Sequence, residues 1–206
     1  MTLPVQFRWK TALLLLLATA PLFAQKHELG LMLGVNTGAE VTLRPGSLNV
    51  GSGITYVANY GVRLAGGDAA AFYFEVHFAA TPLQDVTSDN PVVPRDYASL
   101  FLTPGLRMKF APGFFVSPWV AAGGGYAQFE QSSELPDGTP NPGLRRIHRG
   151  AIDFGGGVDV RLWRWLALRG EVRDFYSGNP AYNASVSGGG QHNVVASGGF
   201  VLRFGE

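Results

Sequence analysis

The sequence has no cysteine. Disulfides, thiolate metal sites and a lipid-carrying cysteine at the head of a mature chain are therefore excluded. Charge is sparse as well, with 16 Lys and Arg, 15 Asp and Glu, and 4 His among 206 residues. So even a balance lacks the basic footprint of a nucleic-acid binder. Beyond the N-terminal region no run of about twenty apolar residues occurs, which is the length a membrane-crossing helix needs. What is abundant is glycine, 28 residues, beside 14 Phe, 7 Tyr and 4 Trp. Glycine weakens a strand interior. Its frequency makes sense in a narrow barrel, where small inward side chains relieve crowding.

The chain opens with Arg8 and Lys10, then the apolar run Ala12 to Ala18, then Pro21-Leu-Phe-Ala24. That is the charged, apolar and small-residue order of a secretory signal peptide. Cleavage is expected after Ala24, because a cut after Ala20 would leave Pro21 next to the scissile bond. The expected organisation is a signal peptide over 1–24 and a single barrel domain over 25–206. Removing the first 24 residues takes away Arg8 and Lys10 and no acid, so 16 basic residues become 14 against 15 acidic ones.

The most informative stretch is Ala151 to Tyr176. Ile152, Phe154, Gly156, Val158 and Val160 alternate with Asp153, Gly155, Gly157, Asp159 and Arg161. After Trp163-Arg164-Trp165 the same period of two returns, with Leu166, Leu168, Gly170 and Val172 set against Arg169, Glu171 and Arg173. This is one β-hairpin with one face free of charge. The pattern recurs along the chain. Lys26 to Val35 carries Leu29, Leu31, Leu33 and Val35 against Glu28. Ile54 to Leu64 carries an apolar and aromatic face against Asn59 and Arg63. Phe72, Phe74, Val76 and Phe78 oppose Tyr73, Glu75 and His77. Leu100, Leu102, Leu106, Met108 and Phe110 oppose Ser99, Thr103, Gly105, Arg107 and Lys109, with Pro104 expected to force a bulge. Phe115 to Glu130 has little contrast, and Tyr126, Gln128 and Glu130 are expected to face inward. Val194 to Phe204 closes the set, with Arg203 on its polar face.

These are eight strands joined alternately by long loops and short turns. The loops cover residues up to about Asn49, Thr81 to Asp96, Gln131 to His148 and Ser177 to Gly190. The expected fold is all-β, an eight-stranded antiparallel up-and-down transmembrane β-barrel. Alternation alone does not say which face is outside. The glycines do: Gly61, Gly105, Gly155 and Gly157 share the charged face, where they make room for arginines. Phe110, Trp163, Trp165 and Phe204, near short turns and the C-terminus, form an expected interfacial aromatic girdle.

The layout, together with TPGLRMKF (Thr103 to Phe110), SPWVAAGGGYAQF (Ser117 to Phe129) and the terminal FVLRF (Phe200 to Phe204), resembles the small bacterial outer-membrane β-barrel proteins of the OmpA-like and porin-like superfamily. The resemblance covers nearly the whole chain after the signal peptide. It implies residence in the outer membrane as a monomer, contact with membrane lipid and lipopolysaccharide, insertion by the barrel assembly machinery, and an extracellular ligand for the long loops.

With the short turns in the periplasm, Glu28, Arg63, Glu75, Arg107, Asp159, Arg161, Arg169, Glu171 and Arg203 occupy the inner half of the lumen. His77, Glu130, Asp153 and Arg173 lie nearer the loops. An eight-stranded barrel is only wide enough for side chains to fill. Such charges must pair, as a structural plug or as the gate of a narrow ion or small-solute channel. Glu171, between Arg169 and Arg173 on one strand face, is the expected pivot. The enzymatic alternative is a lipopolysaccharide-modifying barrel, which needs a histidine near a serine and a carboxylate. His192, Ser197 and Asp174 are the candidates. Gly155-Gly-Gly157 and Gly188-Gly-Gly190 lack the lysine and helix start of a phosphate loop. Asp85, Asp89 and Asp96 have no calcium-loop spacing. No catalytic residue, cofactor or metal ligand is assigned. The expected role is structural or surface-binding, with a polar lumen filled by side chains.

Overall fold

The computed structural model describes residues 26–205 apart from 38, 44, 45, 181 and 188. The proposed signal peptide lies outside the described residues. Ten strands follow one another: β1 (His27–Asn36), β2 (Ala39–Thr42), β3 (Ser47–Val50), β4 (Gly53–Gly66), β5 (Ala70–Ser88), β6 (Asp96–Phe110), β7 (Val116–Gln131), β8 (Arg146–Arg161), β9 (Leu166–Ser177) and β10 (Gln191–Phe204). All pairings between them are antiparallel. β4 to β10 pair in chain order, and β1 joins β4 to β10, with His27 opposite Val62 on one side and Phe204 on the other. The ring is therefore closed, and no ring strand is left with an unpaired edge.

Each of the eight ring strands turns an apolar side chain outward. Leu31, Ile54, Phe74, Leu106, Val120, Phe154, Val172 and Phe200 are all exposed. A water-soluble monomer does not present a continuous apolar belt of this extent. Hydrocarbon is the solvent it suits, and a closed ring satisfies backbone groups that lipid cannot. Inward glycines make the interior possible. A Cβ on Gly157 would lie 2.6 Å from Cζ2 of Trp119, and one on Gly61 would lie 2.9 Å from Nη2 of Arg107.

Several local expectations are corrected. Pro104 causes no bulge: the β6–β7 ladder is interrupted between Leu102–Tyr126 and Gly105–Gly123, but the register on both sides is the same. The bulges sit instead at Arg63/Ala65 and Thr81/Gln84. The second lets β5 run on to Ser88 through Pro82, which needs no ladder partner there. The irregular loop read from Thr81 onward is therefore mostly strand. The first long loop contains the β2–β3 hairpin, which pairs with the extension of β5 through Leu48–Ser88 and Val50–Val86. Two four-residue strands are too short to display a period.

β7 faces opposite to the expectation. Trp119, Ala121, Ala127, Phe129 and Gln131 are buried in the lumen, whereas Tyr126 is exposed on the outer wall, where it stacks on His148 at 5.6 Å. Gln128 shares the outward parity, and Glu130 pairs there with Arg146 at 3.1 Å. Polar residues can occupy this outer face because they lie at the loop end, above the apolar belt.

Candidate functional site

Strand parity delivers the inward charges to a common axis, and the narrow ring brings opposite walls within contact. Glu28 on β1 accepts hydrogen bonds from Arg107 Nη2 at 2.7 Å, Lys109 Nζ at 2.6 Å and Arg169 Nη2 at 3.1 Å. Asp159 on β8 lies 2.6 Å from Lys109 Nζ and accepts from Arg169 Nε at 2.7 Å and Nη2 at 2.9 Å. Trp119 Nε1 also donates to Asp159 at 3.2 Å. Glu75 faces Arg107 Nε at 2.8 Å and pairs with Arg173, which also donates to Asp153 at 2.5 Å. Arg203 reaches the same layer at 3.4 Å from Asp159. These carboxylates bring together cations from three strands, β6, β9 and β10.

The guanidinium groups also lie on aromatic faces. Arg107 sits 4.7 Å from the Tyr73 ring centroid, and Arg169 and Arg173 sit 5.1 and 5.3 Å from Trp119. Arginine suits such a site because its planar group can stack and donate to several acceptors at once. The arrangement holds charge in fixed geometry across the width of the lumen at this level.

The nine inward residues expected in this half divide into three groups. Glu28, Glu75, Arg107, Asp159, Arg169 and Arg203 join one network. Glu171 is peripheral: it accepts from Ser197 at 3.3 Å, and its approaches to His77 and Arg173 are 3.7 and 3.9 Å. It is not the pivot, because Arg173 turns toward Glu75 and Asp153. Arg63 and Arg161 stay at the short-turn mouth, where they donate to the carbonyls of Gly66 and Gly113 at 2.9 and 2.8 Å. Of the residues placed nearer the loops, Asp153 and Arg173 belong to the network, and Glu130 is outside the barrel. Lys109 and Trp119 complete the site. Lys109 was legible from its parity with Arg107; Trp119 was hidden by the inverted reading of β7.

A polar lumen throughout is corrected by the half nearer the loops, which is an apolar core. Phe101 stacks on Phe175 at 4.7 Å and meets Phe129 edge-on at 5.9 Å, and Tyr97 contacts Phe129 and Tyr182 at the same distance. Val41, Leu43, Leu48 and Val50 of the first loop, Val93 of the second and Tyr182 of the last descend into it. Tyr182 takes a left-handed φ of 45°. Burial pushes its phenol well above the usual range, so it remains a donor to Gln191 Oε1 at 2.5 Å.

Other contacts bind the loops to one another. Leu43 bridges Val186, and Asn183 Nδ2 donates to the Val92 carbonyl at 3.0 Å and to Asn141 Oδ1 at 2.7 Å. The four loops thus make a lid.

No protein-family model and no curated protein sequence matches the chain. Solved structures do. The crystal structure of Neisserial surface protein A aligns over 87% of this chain and 97% of its own, at 13% identity and a TM-score of 0.54. That of the outer membrane protein OprG from Pseudomonas aeruginosa aligns over 89% and 97%, at 13% identity and a TM-score of 0.59. The chain has the fold of a small outer-membrane β-barrel. In this barrel Phe110, Trp163, Trp165 and Phe204, the residues expected to form a girdle, are all exposed beside the short-turn end, and the two tryptophans stack at 6.1 Å. The residues of the enzymatic alternative do not converge on the barrel wall. His192 Nδ1 and Asp174 Oδ2 lie 2.6 Å apart on the outside, whereas Ser197, of opposite parity on β10, bonds Glu171 inside.

Proposed function

We propose that this protein is an integral outer-membrane barrel with a structural or surface-binding role and no enzymatic activity. Its lumen is filled at both levels, by ion pairs toward the short turns and by aromatic side chains toward the loops. That double filling is the observation that carries the reading. A path for ions would require breaking several buried ion pairs and displacing Phe101, Phe129 and Phe175 from one another. The loops, tied together by Asn183 and the Leu43–Val186 bridge, form a fixed extracellular platform rather than free segments, which supports binding of an extracellular ligand. Arg146 and His148, outward above the belt, suit contact with lipopolysaccharide.

In this reading the signal peptide is removed near Ala24, the assembly machinery inserts the barrel as a monomer, and the short turns face the periplasm. The separation of Ser197 from His192 and Asp174 weighs against a lipid-modifying enzyme. Conductance of the purified protein in planar lipid bilayers tests the proposal. Current is expected to stay at the level of the bare membrane; reproducible unitary steps would establish the channel alternative in its place.

A further inference from the structure

At the short-turn end the barrel opens into a cavity of about 410 Å³. We propose that this vestibule binds a small soluble oxyanion with two or more negative charges, a phosphate or polycarboxylate group. The proposal does not depend on whether the barrel's role is structural or conductive.

Charge balance is the first argument. The ionic layer contains the carboxylates of Glu28, Glu75, Asp153, Asp159 and Glu171, and these are matched by Arg107, Lys109, Arg169, Arg173 and Arg203. The layer is neutral by itself. Lys26, Arg63, Arg161 and Arg164 also line the cavity and stand outside that layer, and among the described lining residues Asp68 is the acid outside the layer that opposes them.

Geometry is the second. Arg63 and Arg161 do not trail into solvent. Each is half-buried and held by a turn carbonyl, Gly66 in one case and Gly113 in the other. A carbonyl orients a guanidinium without neutralising it. Among the described residues neither of the two forms an ion pair, and each retains further N–H groups at the cavity wall. Two oriented forks at the same mouth suit an oxyanion better than mobile lysines do. The volume falls in the range of small-molecule sites. The lining includes Trp165 and Phe204 of the outer aromatic set as well as the turns, so a lipid headgroup is the competing source of the same anionic chemistry, and the test separates it from a ligand in solution.

The test uses the full barrel in nanodiscs of zwitterionic lipid, with pyrophosphate and citrate as probes in titration calorimetry. One-to-one saturable binding that weakens steeply with added salt is expected. The Arg63→Gln/Arg161→Gln pair should lose about tenfold or more in affinity, whereas Arg95→Gln, in the exposed loop between β5 and β6 at the other end of the barrel, should lose nothing. An unfolding transition like the parent's shows that the pair is folded; if it is not, Arg161→Gln alone is read by the same criteria. Absence of saturable binding, or binding unchanged by the vestibule substitutions, overturns the proposal. So does loss of pyrophosphate binding when the nanodisc contains an anionic phospholipid, because the cations then serve headgroups.

Discussion

Asp159, in the half of the lumen toward the short turns, is held by Lys109, Arg169 and Trp119. Phe129, in the half toward the loops, touches Tyr97 and Phe101 through ring edges. Both side chains are buried within one ring of strands, yet they differ in what they need from their surroundings. A carboxylate without its cations leaves charges stranded, so the ionic half fails by losing a single partner. An aromatic ring needs only filled volume, so its half can borrow packing from the loops. The ionic half is therefore built from ring strands alone. The apolar half is completed by Val41, Leu43, Leu48, Val50, Val93 and Tyr182.

The largest effect expected from this contrast is at Asp159. Asp159→Leu leaves Lys109 and Arg169 short of a buried partner and should cost about 3 to 5 kcal/mol, measured by urea unfolding of the barrel in lipid or detergent. A variant as stable as the parent would mean that the ionic half is wet and screened. Phe129→Ala should cost about 3 kcal/mol, and because the loops pack on this core it should also expose residues 136–146 to protease. Stability lost without new cleavage would separate the lid from the core beneath it.

Outside the lumen, Phe74→Arg should impair insertion by about 2 to 4 kcal/mol if that position lies near the bilayer midplane. Unchanged partitioning into liposomes would remove the belt from the hydrocarbon. The smallest effect belongs to Glu171. Glu171→Leu should cost about 1 kcal/mol, the worth of its bond from Ser197, because Arg173 keeps Glu75 and Asp153. A loss equal to that of Asp159→Leu would restore Glu171 as the centre of the network.

Much of this organisation was legible in the residues. In β5 the alternation of Phe72, Phe74, Val76 and Phe78 with Tyr73, Glu75 and His77 established strand, faces and register parity together. The same logic placed Glu28, Arg107, Lys109 and Arg169 in the lumen. It failed in β7 because Ala121 to Gly125 carries no contrast, and the polar Gln128 and Glu130 then drew the inward face to the wrong parity. It also missed β2 and β3, whose four residues each are shorter than a readable pattern.

The sequence by itself determined the strand count of the ring, the alternation of loops and turns, and, in every ring strand but β7, which face meets lipid. All of these follow from a period of two along the local chain. Partner choice was decided only by the closed ring. Glu28 and Arg169 are 141 positions apart, and which cation reaches which carboxylate depends on the register and width of the whole barrel. The same holds for the lid, where Asn183 meets Val92 and Asn141 only after eight strands have brought their loops to one end.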